Sequence, residues 1–340
     1  MNLAKFPRRV YTPYETPIQP MDRLTSILRE SNPNGPRVWI KRDDMLGLAM
    51  GGNKTRKLEF LMADALEKGA DTIITCGAVQ SNHCRLTLAA AVTEGLKCHL
   101  VIEQRVPNSY DPHASGNNFL YRLLGLKEED FTVVAGGSDM AAEMQKVADR
   151  LAAEGRKPYI VPGGGSNEIG ATGYASCAQE ILGQMFKMGV NFDHIVCTSG
   201  STGTHAGLLV GLKGNNANIP LTGIGINKPV PVQKPNVLKL ATKLAERLGV
   251  ENEITMDDVI VFDDYVGPGY SRVTDGMIEA VKLVARSEGI ILDPVYTGKT
   301  MAGTIDLYKK GYFDGCKDIL FVHTGGSPAL FAYTDNFFEE

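Results

Sequence analysis

Residues 193–212 read DHIVCTSGSTGTHAGLLVGL. The opening DHIVCT is short, apolar and rich in β-branched side chains, which suits a strand buried on both faces of a parallel sheet. THAGLLVGL carries a helical pattern, and SGSTG lies between the two. In such a strand–loop–helix unit, glycine lets backbone N–H groups approach an anion, hydroxyls add donors, and the helix start contributes a positive end. Ser201, Thr202, Gly203 and Thr204 therefore form a candidate phosphate cup. It is neither a GxxxxGK[ST] P-loop nor a dinucleotide fingerprint with its acidic follow-up, so a single phosphate on a small cofactor fits better than ATP or NAD.

The same scheme extends in both directions. Upstream, DTIITC precedes SNHCRLTLAAAVTEG, KCHLVIE follows, FTVVAG precedes DMAAEMQKVADRLAAEG, and PYIVPG precedes EIGATGYASCAQEILGQMFKMG. Downstream, PLTGIGIN, DVIVFDDY and DILFVHTGG continue it. This alternation predicts an α/β fold with two open, mostly parallel sheets covered by helices. No short self-similar period is present, which excludes a solenoid. Glycine-rich stretches at 163–170, 199–207 and 324–328 each follow a strand. Ligands collect at the carboxyl ends of strands in open α/β sheets, so the three loops point to one cleft, with tight turns as the plain alternative for any one of them.

Composition narrows the class. With 35 Lys and Arg against 39 Asp and Glu, the chain has a formal charge of −4, which offers no broad basic field for nucleic acid or anionic lipid. No apolar run approaches the roughly 20 residues of a membrane span, and the basic start MNLAKFPRRV leads into YTPYETPIQP rather than an apolar segment. A cytoplasmic protein acting on a small molecule is expected. The six cysteines have neither CxxC nor Cys/His metal spacing, so reduced thiols and no metal site are expected.

Residues 39–60 read WIKRDDMLGLAMGGNKTRKLEF, placing Lys54 directly after Gly51, Gly52 and Asn53 at the start of a helical pattern. A lysine at a glycine turn can enter a cleft and lose hydration, which lowers its pKa towards that of a useful nucleophile. Taken alone, the same pattern also describes a solvated surface lysine.

Six stretches in order, KRDD, GGNKTRKLEF, QSNHCR, SGSTGTHAG, DPVYTGKTMAG and HTGGSPALFAY, cover nearly the whole chain. Together they resemble the fold type II (tryptophan synthase β-like) pyridoxal phosphate enzymes of the family that contains aminocyclopropane-carboxylate deaminase and D-cysteine desulfhydrase. The resemblance implies a small domain, residues 52–165, inserted in a large domain of residues 1–51 plus 166–340, with pyridoxal 5′-phosphate between them. It implies that Lys54 carries the cofactor as a Schiff base, that Asn82 bonds the cofactor's ring oxygen, and that Ser201 to Thr204 hold its phosphate. Ser81 would meet the substrate carboxylate with Asn82 and His83 nearby, and Tyr270 and Tyr296 would lie close to ring and substrate. On the residues alone, Ser81 and Asn82 also suit a helix cap, and the two tyrosines suit half-buried aromatics. His83 and His205 read as structural histidines rather than metal ligands.

Within that family the ring-opening deaminase has an acidic residue after the tyrosine of DPVY and a leucine before the later GG. Here Thr297 and Thr324 stand at those places, as in the sulfur-eliminating members. A neutral hydroxyl near the pyridine nitrogen leaves that ring less fully protonated than a carboxylate would. The resemblance therefore implies β-elimination of sulfur from a cysteine-like amino acid, D-cysteine or L-cysteate. Aminocyclopropane-carboxylate deamination is the rival reaction, and a non-catalytic amino-acid binder on the same scaffold the rival class. Arg272, in PGYSRVTD, could bind a sulfonate or carboxylate through paired hydrogen bonds, or be a solvated loop arginine. A homodimer is the default assembly.

Overall fold

The computed structural model describes residues 1–338. Six strands form one sheet in the order β1 (Ile18–Pro20), β2 (Arg37–Arg42), β10 (Asp318–His323), β7 (His194–Ser199), β8 (Leu221–Gly225) and β9 (Ile260–Phe262). Only β1 runs antiparallel to its neighbour. Four parallel strands form the other: β5 (Phe131–Ala135), β4 (Lys97–Gln104), β3 (Thr72–Ala78) and β6 (Pro158–Ile160). The helices are α1 (Asp22–Arg29), α2 (Lys54–Glu67), α3 (Asn82–Thr93), α4 (Asn117–Leu123), α5 (Met140–Ala153), α6 (Glu168–Met188), α7 (Gly203–Lys213), α8 (Val230–Leu248), α9 (Asp275–Glu288), α10 (Thr297–Lys309) and the short α11 (Asp335–Phe338). The expected α/β architecture, two open and mostly parallel sheets covered by helices, is the one observed.

Burial explains the apolar centre of β7, Ile195, Val196 and Cys197. All six of its residues are buried, with Ile195 and Cys197 packed in the layer of α6, α7 and α8, and Val196 in the layer of α1, α9 and α10. The smaller sheet repeats this with α2 and α3 on one face and α5 on the other. Helices α6 and α7 approach closely because α7 carries Gly207 and Gly211. A Cβ at Gly211 would lie 2.6 Å from that of Ala178, and one at Gly207 would collide with Tyr174.

A buried ionic cluster ties the start of α2 to the larger sheet. The Arg56 guanidinium pairs with Asp43 (Nε to Oδ2 2.8 Å) and with Glu180 on α6 (Nη1 to Oε2 2.8 Å), and donates to Thr16 Oγ1 at 3.1 Å. Tyr174 Oη also donates to Asp43, and the Lys41 ammonium reaches Glu180 and Gln184. Burial alone would raise the Asp43 carboxyl, yet Arg56 overcomes it and holds the group down at about 2. Removing one partner of such a cluster strands a buried charge, at a cost of about 3–5 kcal/mol. Arg56→Met is therefore expected to lower the unfolding free energy by about that amount. Urea denaturation of purified wild type and variant would measure it.

Candidate active site

One cavity lies at the carboxyl ends of β7 and β10, where Thr198, Gly200, Thr324 and Gly325 reach its wall. Four helices begin there. Lys54 is the first residue of α2, Asn82 the first of α3, Thr204 the second of α7, and Tyr296 is the N-cap of α10, and all four side chains line the cavity. A helix start leaves N–H groups without intrahelical acceptors and carries a partial positive charge; the start of α10 is capped by the Asp293 carboxylate, and the starts of α2, α3 and α7 make the space anion-seeking.

Lys54 Nζ hydrogen-bonds Asn53 Oδ1 at 2.9 Å and lies 6.0 Å from the centre of the Tyr296 ring. Among the described residues it has no carboxylate partner. Burial pushes its pKa down to about 8, with Asp293 raising it and Arg85 lowering it by smaller amounts. That is the range of a useful amine nucleophile at neutral pH.

Ser201, Thr202 and Thr204 line the cavity, while Gly203 lies in the loop's turn. Thr202 has φ +72°, a left-handed conformation costly for a β-branched residue and kept where the surroundings demand it. Lys57, which sequence reasoning left unused, is fully buried one turn beyond Lys54, its ammonium donating to Gly164 O at 3.0 Å. A Cβ at Gly203 would sit 2.8 Å from both Lys57 Nζ and Ser166 Oγ, so the loop passes directly over a buried cation. Burial and the neighbouring Lys54 push Lys57 well below its usual range. An anion held by the loop would reverse that pressure.

On the opposite wall, Asn82 Oδ1 accepts from Asn117 Nδ2 at 2.9 Å, which leaves the Asn82 Nδ2 donor available. His83 Nε2 meets Thr75 Oγ1 at 2.7 Å, and His83 Nδ1 is buried without a protein partner. Burial, with Lys54 and Lys57 close by, keeps this imidazole neutral. Ser81 is the N-cap of α3 and accepts from Cys84 N at 3.1 Å, with its own O–H still free to donate; it adjoins the wall residues Asn82 and His83 but, like Tyr270, does not itself line the cavity. His205 is buried against Ser199, away from the cavity wall. All six cysteines are unpaired, and among the described residues no cluster of His, Cys, Asp or Glu is arranged to hold a metal.

Tyr270 Oη and Tyr296 Oη share a short hydrogen bond, their rings edge to face at 5.9 Å. Burial raises both pKa values, so both phenols stay protonated and the pair keeps one O–H to offer elsewhere. Asp293 fixes the Tyr296 end: its carboxylate accepts from the backbone N–H groups of Val295, Tyr296 and Thr297 and from Thr297 Oγ1. Thr297 therefore does not reach the cavity, its hydroxyl being committed to Asp293, whereas Thr324 does line it. Arg272 is exposed and does not line the cavity. The guanidinium beside the tyrosine pair belongs to Arg105 instead, at the end of β4, 4.3 Å above the Tyr270 ring and tied to Glu103 at 2.7 Å. No pattern in the sequence distinguished Arg105 from Arg272.

Residues 11–325 match the family model described as "Pyridoxal-phosphate dependent enzyme". The D-cysteine desulfhydrases of Salmonella paratyphi C (strain RKS4594) and Salmonella typhimurium (strain LT2) are each 43% identical to this chain over 332 residues, covering 98% of both chains. A solved structure described as an ACC deaminase homologue superposes with a TM-score of 0.87 at 39% identity, covering 98% of this chain and 96% of its own. O-ureido-L-serine synthase shares the fold at a TM-score of 0.67 and 18% identity, over 96% of this chain and 94% of its own. With that cavity and these relatives, the chain belongs to the pyridoxal-phosphate-dependent enzyme family.

Proposed function

We propose that the chain is a pyridoxal-phosphate-dependent carbon–sulfur lyase that converts D-cysteine to pyruvate, ammonia and sulfide. The observation that carries this reading is the meeting, in one cavity, of the starts of α2, α3 and α7, a lysine held near pKa 8, and Tyr296, whose hydroxyl pairs with Tyr270 so that the two keep one O–H to give. The residues present fit the cofactor. The 201–204 loop over the buried Lys57 ammonium suits its phosphate, Asn82 Nδ2 suits its ring oxygen, and the orphaned His83 Nδ1 lies on the same wall. When bound, the cofactor supplies the electron sink that makes the bonds at the substrate α-carbon labile.

Lys54 is the residue that would hold the cofactor covalently, and its Nζ, kept near pKa 8 by burial, is the amine that would accept the α-proton. Ser81 Oγ and the α3 N-terminus bind the substrate carboxylate. The remaining O–H of the Tyr270–Tyr296 pair donates to the departing sulfur, and Thr324, on the cavity wall, would offer the cofactor's ring nitrogen a neutral hydroxyl. Among the described residues no acidic side chain lines the cavity, which disfavours the ring-opening reaction. A second reading, L-cysteate to pyruvate, ammonia and sulfite, is favoured by the Arg105 guanidinium at the tyrosine pair, since an arginine there suits a sulfonate. It transfers to Arg105 the part first given to Arg272.

The division into a large domain (1–51 plus 166–340) and a small inserted one (52–165) belongs to this proposal, supported by the four-stranded sheet lying wholly within residues 72–160. So does a cytoplasmic homodimer: C2 dimers are the commonest closed assembly, and among the described residues no helix is long and apolar enough to cross a membrane.

Purified holoenzyme is expected to release pyruvate with sulfide from D-cysteine, and pyruvate with sulfite from L-cysteate if the second reading holds. Formation of 2-oxobutyrate from aminocyclopropane carboxylate, with neither sulfur product, would overturn the lyase assignment. Lys54→Ala should cut turnover at least about 10²–10⁴-fold while leaving the melting profile intact, since it removes the proton acceptor. Lys57→Met should weaken cofactor affinity about 10–100-fold, the worth of one hydrogen bond to a charged group. Equilibrium titration of the apoenzyme with cofactor, followed by absorbance, would show it.

A further inference from the structure

We infer that Lys299 is a positioning residue that holds Tyr270 against Tyr296. The inference rests on the tyrosine pair acting as proposed above. Tyr270 lies in the loop between β9 and α9, whose backbone takes positive φ at Gly267, Gly269 and Ser271, a path with little regular hydrogen bonding of its own. Helix α10 supplies what the loop lacks. Lys299 Nζ donates to Val266 O at 2.7 Å and to Gly269 O at 2.9 Å, so that one ammonium grips both sides of the turn just before Tyr270. One turn on, Gly303 leaves room for the Tyr265 ring, where a Cβ would lie 2.7 Å from its Cδ2. A further turn on, Asp306 accepts from Tyr265 Oη at 2.6 Å. Positions 299, 303 and 306 share one face of the helix. Tyr296, the other member of the pair, is the N-cap of that same helix.

Lys299 is fully buried and, among the described residues, its partners are two carbonyls with no carboxylate. Burial accordingly depresses its pKa to about 8. A cation without a counter-ion is an expensive way to brace a loop when a neutral side chain would fill the space. Its value lies in the strength of charge-assisted bonds to two carbonyls at once. Arg105 lies over the Tyr270 ring at 4.3 Å, so the ring has a guanidinium on one face while the ammonium of Lys299 holds the turn that carries it.

The test uses holoenzyme and compares Lys299→Met, Lys299→Arg, Tyr270→Phe and the Lys299→Met/Tyr270→Phe double variant, with melting profiles as a fold check. Misplacing a reacting group by about 1 Å can cost on the order of 100-fold in rate. Lys299→Met should lower kcat about 10–100-fold with little change in KM, and Lys299→Arg should restore part of the loss. In the Tyr270→Phe background the same substitution should cost less than about 2-fold, because there is no longer a phenol to position. Equal losses in both backgrounds, or a rise in KM alone, would overturn the inference. Should Lys299→Met fail to fold, Lys299→Gln takes its place under the same criteria. Unchanged turnover in Tyr270→Phe alone would sink the role given to the tyrosine pair, and the inference with it.

Discussion

The geometry around Lys54 depends on the guanidinium two residues beyond it. Arg56 is buried between Asp43, which follows β2, and Glu180 on α6, and so fixes the first turn of α2 against the larger sheet. Gly173 makes the approach feasible, since a Cβ there would strike the Arg56 carbonyl. A buried ion cluster of this kind need not be more stable than an apolar plug of the same volume. What it provides is register: an arginine fork satisfied by two carboxylates has one good arrangement, whereas leucines tolerate sliding. The amine at the head of α2 inherits that register.

The electrostatics of the cavity follow a single pattern. Lys54 is coupled to both Lys57 and Arg85, the starts of α2, α3 and α7 add to them, and Asp293 is the carboxylate that acts on Lys54 and Arg85 while capping α10. Crowded cations in a low-dielectric site depress one another's pKa values. The arrangement is relieved by a ligand bearing a phosphate and a carboxylate, so the burial, and with it the repulsion, that weakens each lysine's hold on its proton favours a doubly anionic occupant.

The fold was legible in the sequence because parallel strands buried on both faces centre on short runs of apolar, β-branched residues, as at Ile195–Cys197 in β7, and because glycine-rich loops mark strand ends. The phosphate loop could be read locally for the same reason, while Lys54 needed its neighbours in other motifs. Contacts between elements distant in sequence were not readable. Lys57 points to a loop more than a hundred residues downstream, and Lys299 reaches back across thirty residues to a turn with no pattern of its own. Arg105 and Arg272 are both loop arginines, one just after β4 and the other just before α9, and only the tertiary contact of Arg105 with Tyr270 decides which touches a tyrosine. Thr297 was misread for a subtler reason: its hydroxyl is captured four residues away by Asp293, a local bond that competes with any ligand.

The glycine seam between α6 and α7 carries a lesson of its own. Gly207 and Gly211 lie in the helix that opens with the phosphate loop, yet what excludes larger side chains there is the neighbouring helix and not an anion. Sequence drift at these two positions is blocked by shape. A bulkier residue would wedge the helices apart and carry the loop with them, so that a pure packing fault would present itself in the laboratory as a cofactor-binding defect.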